Sequence, residues 1–500
     1  MKSDNPKSEN RARAIMVQGT GSGVGKSFIA AGLLRIMSDM GVKCAPFKAQ
    51  NMALNSFITR DGGEIGRAQA LQAEAARVEA ATDMNPILLK ATGEAGSQVI
   101  INGKALRNMT AREYYSFKET AWGHVRAAYE RLRKAYDLTV LEGAGSPAEI
   151  NLMENDIVNM RMARHADASV LLAGDIDRGG VFASLFGTIS LLEDYKDLIK
   201  GFIINKFRGD GEILAPGLKM LEEKTGIKAL GVLPYLRTCL SEEDGLCLDS
   251  AEHSRMGDGA IKIVVIRNGF ISNFTDFEPF HHEPDIELLY SVKSADIETA
   301  DLIILPGTKN TVKDLLLLRG SGVERSIKKA VGKGTPLIGI CGGYQMLGSV
   351  IKDPCKVESE MDEVRGMGLL EIETLLEKTK TTSQVEGIEI KNPGETLKGY
   401  EIHMGVSEGD IGLFRIERLA TGERVMDGSE KGNVRGTYIH GIFDNDRLRG
   451  RLLNSIRAEK ELPLREPVNY AALKENAINR FADVLRKHLD MRYIEGLCLR

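Results

Sequence analysis

The run Gly19-Thr20-Gly21-Ser22-Gly23-Val24-Gly25-Lys26-Ser27 follows a short apolar stretch and precedes apolar residues at helical spacing. Glycines at this density let backbone N–H groups converge on phosphate oxygens. Lys26 supplies a point charge, and Ser27 places a hydroxyl where a nucleotide-bound magnesium ion can be ligated. Gly19, Thr20, Gly23 and Gly25 are therefore nucleotide-binding candidates with Lys26 and Ser27. The strict pattern GxxxxGK[ST] would put its first glycine at position 20, where Thr20 stands, so this is a variant phosphate-binding loop. Far downstream, Cys341 ends the apolar run Ile338-Gly339-Ile340 and precedes Gly342 and Gly343. A thiol on such a strand-to-helix elbow sits at a helix N-terminus, which favours the thiolate, and the Gly342 N–H can stabilise an oxyanion. A lone cysteine in an apolar stretch is ordinarily a core residue. Its context argues for more: Leu305-Pro306-Gly307 offers a second oxyanion donor at Gly307, and Tyr438-Ile439-His440-Gly441 puts a histidine at another strand end. Cysteine with histidine makes a nucleophile and a proton shuttle.

A magnesium–nucleotide site also needs an acid near the carboxyl ends of neighbouring strands. Glu142 in LEGAGS and Asp175, with Asp177, in AGDIDRGG both qualify, and the residues alone do not separate a metal ligand from a turn or cap acid. Lys48 in PFKAQNM ends the next strand, where a catalytic lysine and a solvated one look alike.

The elements that must position these groups alternate between strand and helix along the chain, the pattern of α/β architecture with parallel sheets. Strands are expected at 14–18, 42–48, 138–141, 168–173, 202–205 and 229–233, with helical segments including 29–40, 65–79 and 180–192. The polar, glycine-bearing run SAEHSRMGDG suggests a linker at 251–259 between a domain at 1–250 and another at 260–500. A second series of strands follows at 261–266, 302–305 and 336–340, then a less regular region at 366–437 and a helical tail at 470–488.

With 500 residues, of which 43% are hydrophobic, the chain can build two or three cores. Residues 1–13 lack the apolar core of a signal peptide, and no stretch is long and apolar enough to span a bilayer, so a cytoplasmic address is expected. Six scattered cysteines argue against a disulfide framework or a structural zinc site. A net charge of −4 gives no support for nucleic acid held on a broad basic surface.

The motifs VQGTGSGVGKS, FKAQNMALNS, EGAGSPAEINL, GDIDRGGVFASLFGT, INKFRGD, LPGTKNT, ICGGYQMLG, GYEIHMG and GTYIHGIFD span nearly the whole chain in order. Together they resemble a cobalamin-pathway family that joins a dethiobiotin synthetase-like P-loop domain to a class I glutamine amidotransferase domain. The resemblance implies two doubly wound, mainly parallel sheets, the first P-loop NTPase-like. It also implies an ATP- and Mg2+-dependent amidoligase that converts the b, d, e and g carboxylates of adenosylcobyrinic acid a,c-diamide to amides with nitrogen from glutamine. By the same resemblance Cys341 attacks glutamine, His440 shuttles the proton, Lys48 lies near the transferred phosphate, and Ser27, Glu142 and Asp175 are the metal candidates. The small-molecule partners would be the corrinoid diamide and glutamine, with neither nucleic acid nor membrane, and the oligomeric state stays open. A polyanionic corrinoid needs local basic residues, and Arg178, Lys206 and Arg208 occupy suitable strand-end loops. Ammonia, which neutral water protonates, is expected to reach the second reaction sheltered.

One departure bears on mechanism. Class I amidotransferases usually carry a glutamate two residues after the histidine, but position 442 is Ile. The sequence offers Asp444, Glu401 or His403 as substitutes. The sister enzyme acting on the a and c carboxylates is the nearest alternative, against which FKAQNM and EGAGSPAEINL speak. A nucleotide-gated P-loop switch is the other, against which Cys341 and His440 speak.

Overall fold

The strand Arg13–Gly19 lies inside a six-stranded sheet in the order Ala229–Pro234, Ile199–Phe207, Ser169–Asp175, Arg13–Gly19, Leu138–Glu142, Cys44–Phe47, with every neighbouring pair parallel. Parallel strands are covered by helices on both faces, which is why these segments read as unbroken apolar runs instead of alternating ones. One consequence governs the site: Gly19, Glu142 and Asp175 all end their strands at the same edge of the sheet.

The computed structural model describes residues 13–91, 96–236, 255–256 and 259–499. The chain divides into two compact units, Met1–Ala53 with Ile65–Leu240 and Leu473–Arg500, and Leu54–Glu64 with Ser241–Ala472. In the first unit the helix Lys26–Asp39 buries Ile29, Leu33, Leu34, Ile36 and Met37. A smaller sheet runs Gln50–Met52, Ile87–Ala91, Gly96–Ile101, Lys104–Thr110. The helix Ala111–Ala135 starts from a capping box between Thr110 and Glu113.

The second unit holds a seven-stranded sheet whose middle strands, Ile286–Ser291, Ile261–Ile266, Leu302–Leu305, Leu337–Ile340 and Val434–Thr437, are parallel. Its edge strands Arg255–Met256 and Ser429–Lys431 are antiparallel. The region expected to be less regular instead forms a further sheet around a long antiparallel hairpin, Ile372–Glu389 with Asn392–Gly409. The strand Ile372–Glu389 carries an unbroken polar run at 377–384, which interrupts the apolar alternation and hides the strand signal.

The units differ from the sequence reading at both ends of the division. Residues 54–64 belong with the second unit and Leu473–Arg500 with the first. The helix Tyr470–His488 was expected as the tail of the second domain, yet Ile478, Ala482, Leu485 and Leu489 complete the same core as Ile29, Leu33 and Ile36. A Cβ on Gly32 would lie 2.4 Å from Leu485 Cδ1 and 2.9 Å from Phe481 Cδ1, so a larger residue there would displace these tail side chains. Fully buried Arg35 pairs with Glu475 at 2.5 Å. Periodicity identifies a helix, whereas the surface it covers is a tertiary fact. Of the expected linker, only 255–256 and 259 are described; the rest lies outside the described residues. No helix among the described residues is long and apolar enough to cross a membrane.

Candidate functional site

In the first unit the glycine-rich loop leads into the helix Lys26–Asp39 through Gly25 at φ 95°, and a Cβ there would lie 2.2 Å from Asn205 Nδ2. Left-handed backbone and a neighbour at that range both require glycine. Asn205 Nδ2 donates to Val24 O at 2.8 Å, Lys206 Nζ to Gly23 O at 2.6 Å, and Thr20 N–H to Ala173 O at 3.0 Å. Lys26 Nζ donates to Gly21 O of its own loop at 2.8 Å and to Gly145 O, after the strand Leu138–Glu142, at 3.0 Å.

Glu142 gathers the surrounding polar groups. Ser27 Oγ donates to Glu142 Oε1 at 2.9 Å, and Lys48 Nζ reaches the same oxygen at 2.9 Å. Burial would raise the carboxyl pKa, but the charge and hydrogen bond of Lys48, helped by Gln72, bring it below the ordinary value. Gln72 Nε2 donates to Glu142 Oε2 at 2.5 Å, Gln69 Nε2 lies 3.5 Å from that oxygen, and Asn51 Nδ2 donates to Gln69 Oε1 at 3.0 Å. Their signal in the sequence is Asn51, three residues after Lys48, and Gln69 and Gln72, three apart on the helix Arg67–Ala75.

Asp175 stands apart from Glu142, one strand to the other side of Arg13–Gly19. Its Oδ1 accepts from Asp177 N–H at 2.9 Å, and its Oδ2 faces Lys206 Nζ at 3.3 Å and Arg178 Nε at 3.7 Å. Arg208 Nε lies 3.3 Å from Asp177, and its guanidinium stacks on Tyr235 at 3.5 Å. The three expected basic residues thus gather around Asp175 and Asp177, with Lys206 also on the loop at Gly23. Among the described residues no three His, Cys, Asp or Glu side chains cluster as a metal cage. The donor set of one hydroxyl and one carboxylate, Ser27 and Glu142, fits a hard cation that takes its remaining oxygens from phosphate and water.

In the second unit Cys341 sits between the strand Leu337–Ile340 and the helix Gly342–Leu347 at φ 51°, ψ −110°. Positive φ at a non-glycine residue costs energy, and such strain collects at functional positions. Gly343 has no room for a side chain, since a Cβ would lie 1.9 Å from Leu305 O. The Cys341 thiol lies 3.6 Å from Ile402 O. His440 is buried, and a Cβ on Gly307 would lie 3.0 Å from its Cε1, so Gly307 lines the imidazole as well as following the strand Leu302–Leu305.

Asp276 holds the histidine. Its Oδ2 is 2.6 Å from His440 Nδ1, and its Oδ1 accepts the Gly441 N–H at 3.0 Å. Burial alone would lower the imidazole pKa; Asp276, by charge and hydrogen bond, with the adjacent Cys341 side chain contributing, pushes it up to about 10. None of the substitutes read from sequence fills this position. Glu401 is taken up by Arg418 at 2.7 Å and His403 at 3.3 Å, and His403 stacks on Tyr438 at 3.9 Å. Asp444 closes a short turn with its N–H on Gly441 O. Asp276 lies in the sequence Phe274-Thr275-Asp276-Phe277, 164 positions before His440, and no motif there points to the histidine.

A phosphate-binding loop backed by a carboxylate and lysine, together with a thiol elbow and carboxylate-held histidine, defines the class of glutamine-dependent amidoligases. Residues 15–245 match the CobQ/CobB/MinD/ParA nucleotide binding domain and 262–448 the CobB/CobQ-like glutamine amidotransferase domain. The chain is 49% identical over 486 residues to cobyric acid synthase of Thermodesulfovibrio yellowstonii, covering 97% of this chain and 99% of that one. It is 50% identical over 489 residues to cobyric acid synthase of Clostridium tetani, covering 96% and 98%. The chain belongs to the cobyric acid synthase family. It is a glutamine-dependent amidoligase of cobalamin biosynthesis that uses ATP.

Proposed function

We propose that the chain amidates the b, d, e and g carboxylates of adenosylcobyrinic acid a,c-diamide through an acyl phosphate, with ammonia freed from glutamine at Cys341. The observation that carries this reading is the Cys341 elbow beside a histidine whose Nδ1 is held 2.6 Å from Asp276. The Cys341 sulfur, as thiolate, attacks the glutamine side-chain carbonyl, and the N–H groups of Gly342 and Gly307 receive the oxyanion. His440 delivers a proton to the departing nitrogen, which leaves as ammonia. Water then attacks the thioester, releasing glutamate and the thiol.

A carboxylate resists nucleophiles because it is already negative. Transfer of the ATP γ-phosphoryl group to a corrinoid carboxylate oxygen breaks its bond to ADP and gives a mixed anhydride, which ammonia attacks at carbon, expelling phosphate and losing a proton to form the amide. Lys26 and Lys48 offset the charge that accumulates on the transferred group. Magnesium, held by Ser27 and Glu142 with Asp175 as the alternative acid, would screen the phosphate oxygens. Arg178, Lys206 and Arg208 supply positive charge for the polyanionic corrinoid.

Replacing the thiol tests the division of labour. Cys341→Ala should abolish glutamine-driven amidation while ammonium salts at alkaline pH still drive it. Glutamine-driven product from Cys341→Ala would remove the cysteine from this role.

A further inference from the structure

Residues 54–64, Leu-Asn-Ser-Phe-Ile-Thr-Arg-Asp-Gly-Gly-Glu, fall within the stretch that matches the nucleotide-binding domain, yet they fold into the unit that carries Cys341. The strands Ser56–Ile58 and Glu64–Gly66 pair as a small hairpin. Exposed loops keep polar side chains in water; here Asn55, Ser56, Thr59 and Glu64 are all buried. Burying them is costly unless partners are fixed in place.

Those partners lead to the glutaminase groups by two routes. Phe274 N–H donates to Asn55 Oδ1 at 3.2 Å and Ser56 N–H donates to Asn273 Oδ1 at 3.1 Å, a reciprocal pair. Asn273, at φ 53°, caps the turn Phe274–Phe277 that carries Asp276, the partner of His440. The second route is apolar: Ile58 is fully buried against Tyr400 and Ile402. Tyr400 stacks on the His440 ring at 5.2 Å and exchanges backbone hydrogen bonds with it, and Ile402 O lies 3.6 Å from the Cys341 sulfur. The hairpin is pinned from behind, Lys380 Nζ lying 2.5 Å from Glu64, Ser56 Oγ 2.7 Å from Glu64, and Gln384 Nε2 2.8 Å from Ile58 O.

We infer that Asn55 and Ile58 are positioning residues for glutamine hydrolysis, so that a segment of the nucleotide-binding sequence sets the geometry of the Cys341–His440 pair. The inference rests on the glutaminase reading above. Displacement of reacting groups by about 1 Å costs on the order of 100-fold in rate.

The test uses the full chain with Asn55→Ala, Asn55→Asp and Ile58→Ala, measuring glutamine-driven and ammonia-driven amidation of the corrinoid diamide side by side. Asn55→Ala and Ile58→Ala should each lower the ratio of the two rates about 10-fold to 100-fold, through kcat for glutamine more than KM. Asn55→Asp keeps an oxygen acceptor for the Phe274 N–H and should recover most of the ratio. Alkylation of Cys341 by iodoacetamide should slow in parallel with kcat. A ratio within about 2-fold of the parent in both apolar variants, or a parallel fall of both rates, overturns the proposal. If the unmodified chain hydrolyses no glutamine, the underlying reading fails first and takes this inference with it.

Discussion

Asp276 Oδ2 lies 2.6 Å from His440 Nδ1 although 164 residues separate the two in the chain. The carboxylate reaches the imidazole from the turn Phe274–Phe277, whereas position 442, two residues after the histidine, is Ile. Its charge and hydrogen bond favour the imidazolium, and under the proposed mechanism they would orient His440 toward the thiol.

Asp276→Asn should preserve the shape of the site while removing the charge. Glutamine-driven amidation should fall by about 100-fold to 10,000-fold, by analogy with the loss of the orienting carboxylate in other triads. Steady-state glutaminase assays beside the ammonia-driven reaction check this, and equal losses in both would assign Asp276 to folding instead.

The same pair predicts a pH window for stability. His440 is raised from 6.5 to about 10 in the folded state, so its contribution is complete below pH 6.5 and disappears as pH rises through about 10. The difference in unfolding free energy between the parent and Asp276→Asn should be about 2 kcal/mol near pH 6, the scale of a hydrogen bond to a charged group, and should shrink towards pH 10. Denaturant melts across that range read it out. A difference that grows with pH would contradict the assignment.

Glu142→Gln should remove the charge that Ser27 and Lys48 share at 2.9 Å each. ATP-driven amidation should drop by about 100-fold or more, the scale for losing one preorganised electrostatic group. Calorimetry with a non-hydrolysable nucleotide should show that magnesium no longer strengthens binding. Glutamine hydrolysis at Cys341 should persist.

The tail offers a test of the first unit's core. Leu485 is fully buried in the same cluster as Ile29 and Leu33, so Leu485→Ala should cost about 2–5 kcal/mol. Thermal unfolding followed in the presence and absence of ATP measures it; an unchanged Tm would place the tail elsewhere.

What the sequence made legible follows from locality. The loop 19–27, the elbow at Cys341 and the parallel strands are encoded by contiguous residues, and each is found where its spacing predicts. Asp276, Gln69, Gln72 and the hairpin 54–64 meet their partners only through tertiary placement. Nothing beside Asp276 announces His440, and nothing in LNSFITRDGGE distinguishes a hairpin of the second unit from a loop of the first. The tail helix was visible as a helix, yet its partner, the face of Lys26–Asp39 opened by Gly32, becomes apparent only on folding.

The central claim is that nitrogen freed by a thiol is fixed onto ATP-activated corrinoid acids. Glutamine labelled with 15N in its side-chain amide, incubated with the full chain, ATP, magnesium and adenosylcobyrinic acid a,c-diamide, tests it by the mass of the corrinoid over time. The account predicts successive incorporation of label up to four amides, with none from Cys341→Ala. Turnover of both ATP and glutamine with no labelled corrinoid would contradict it.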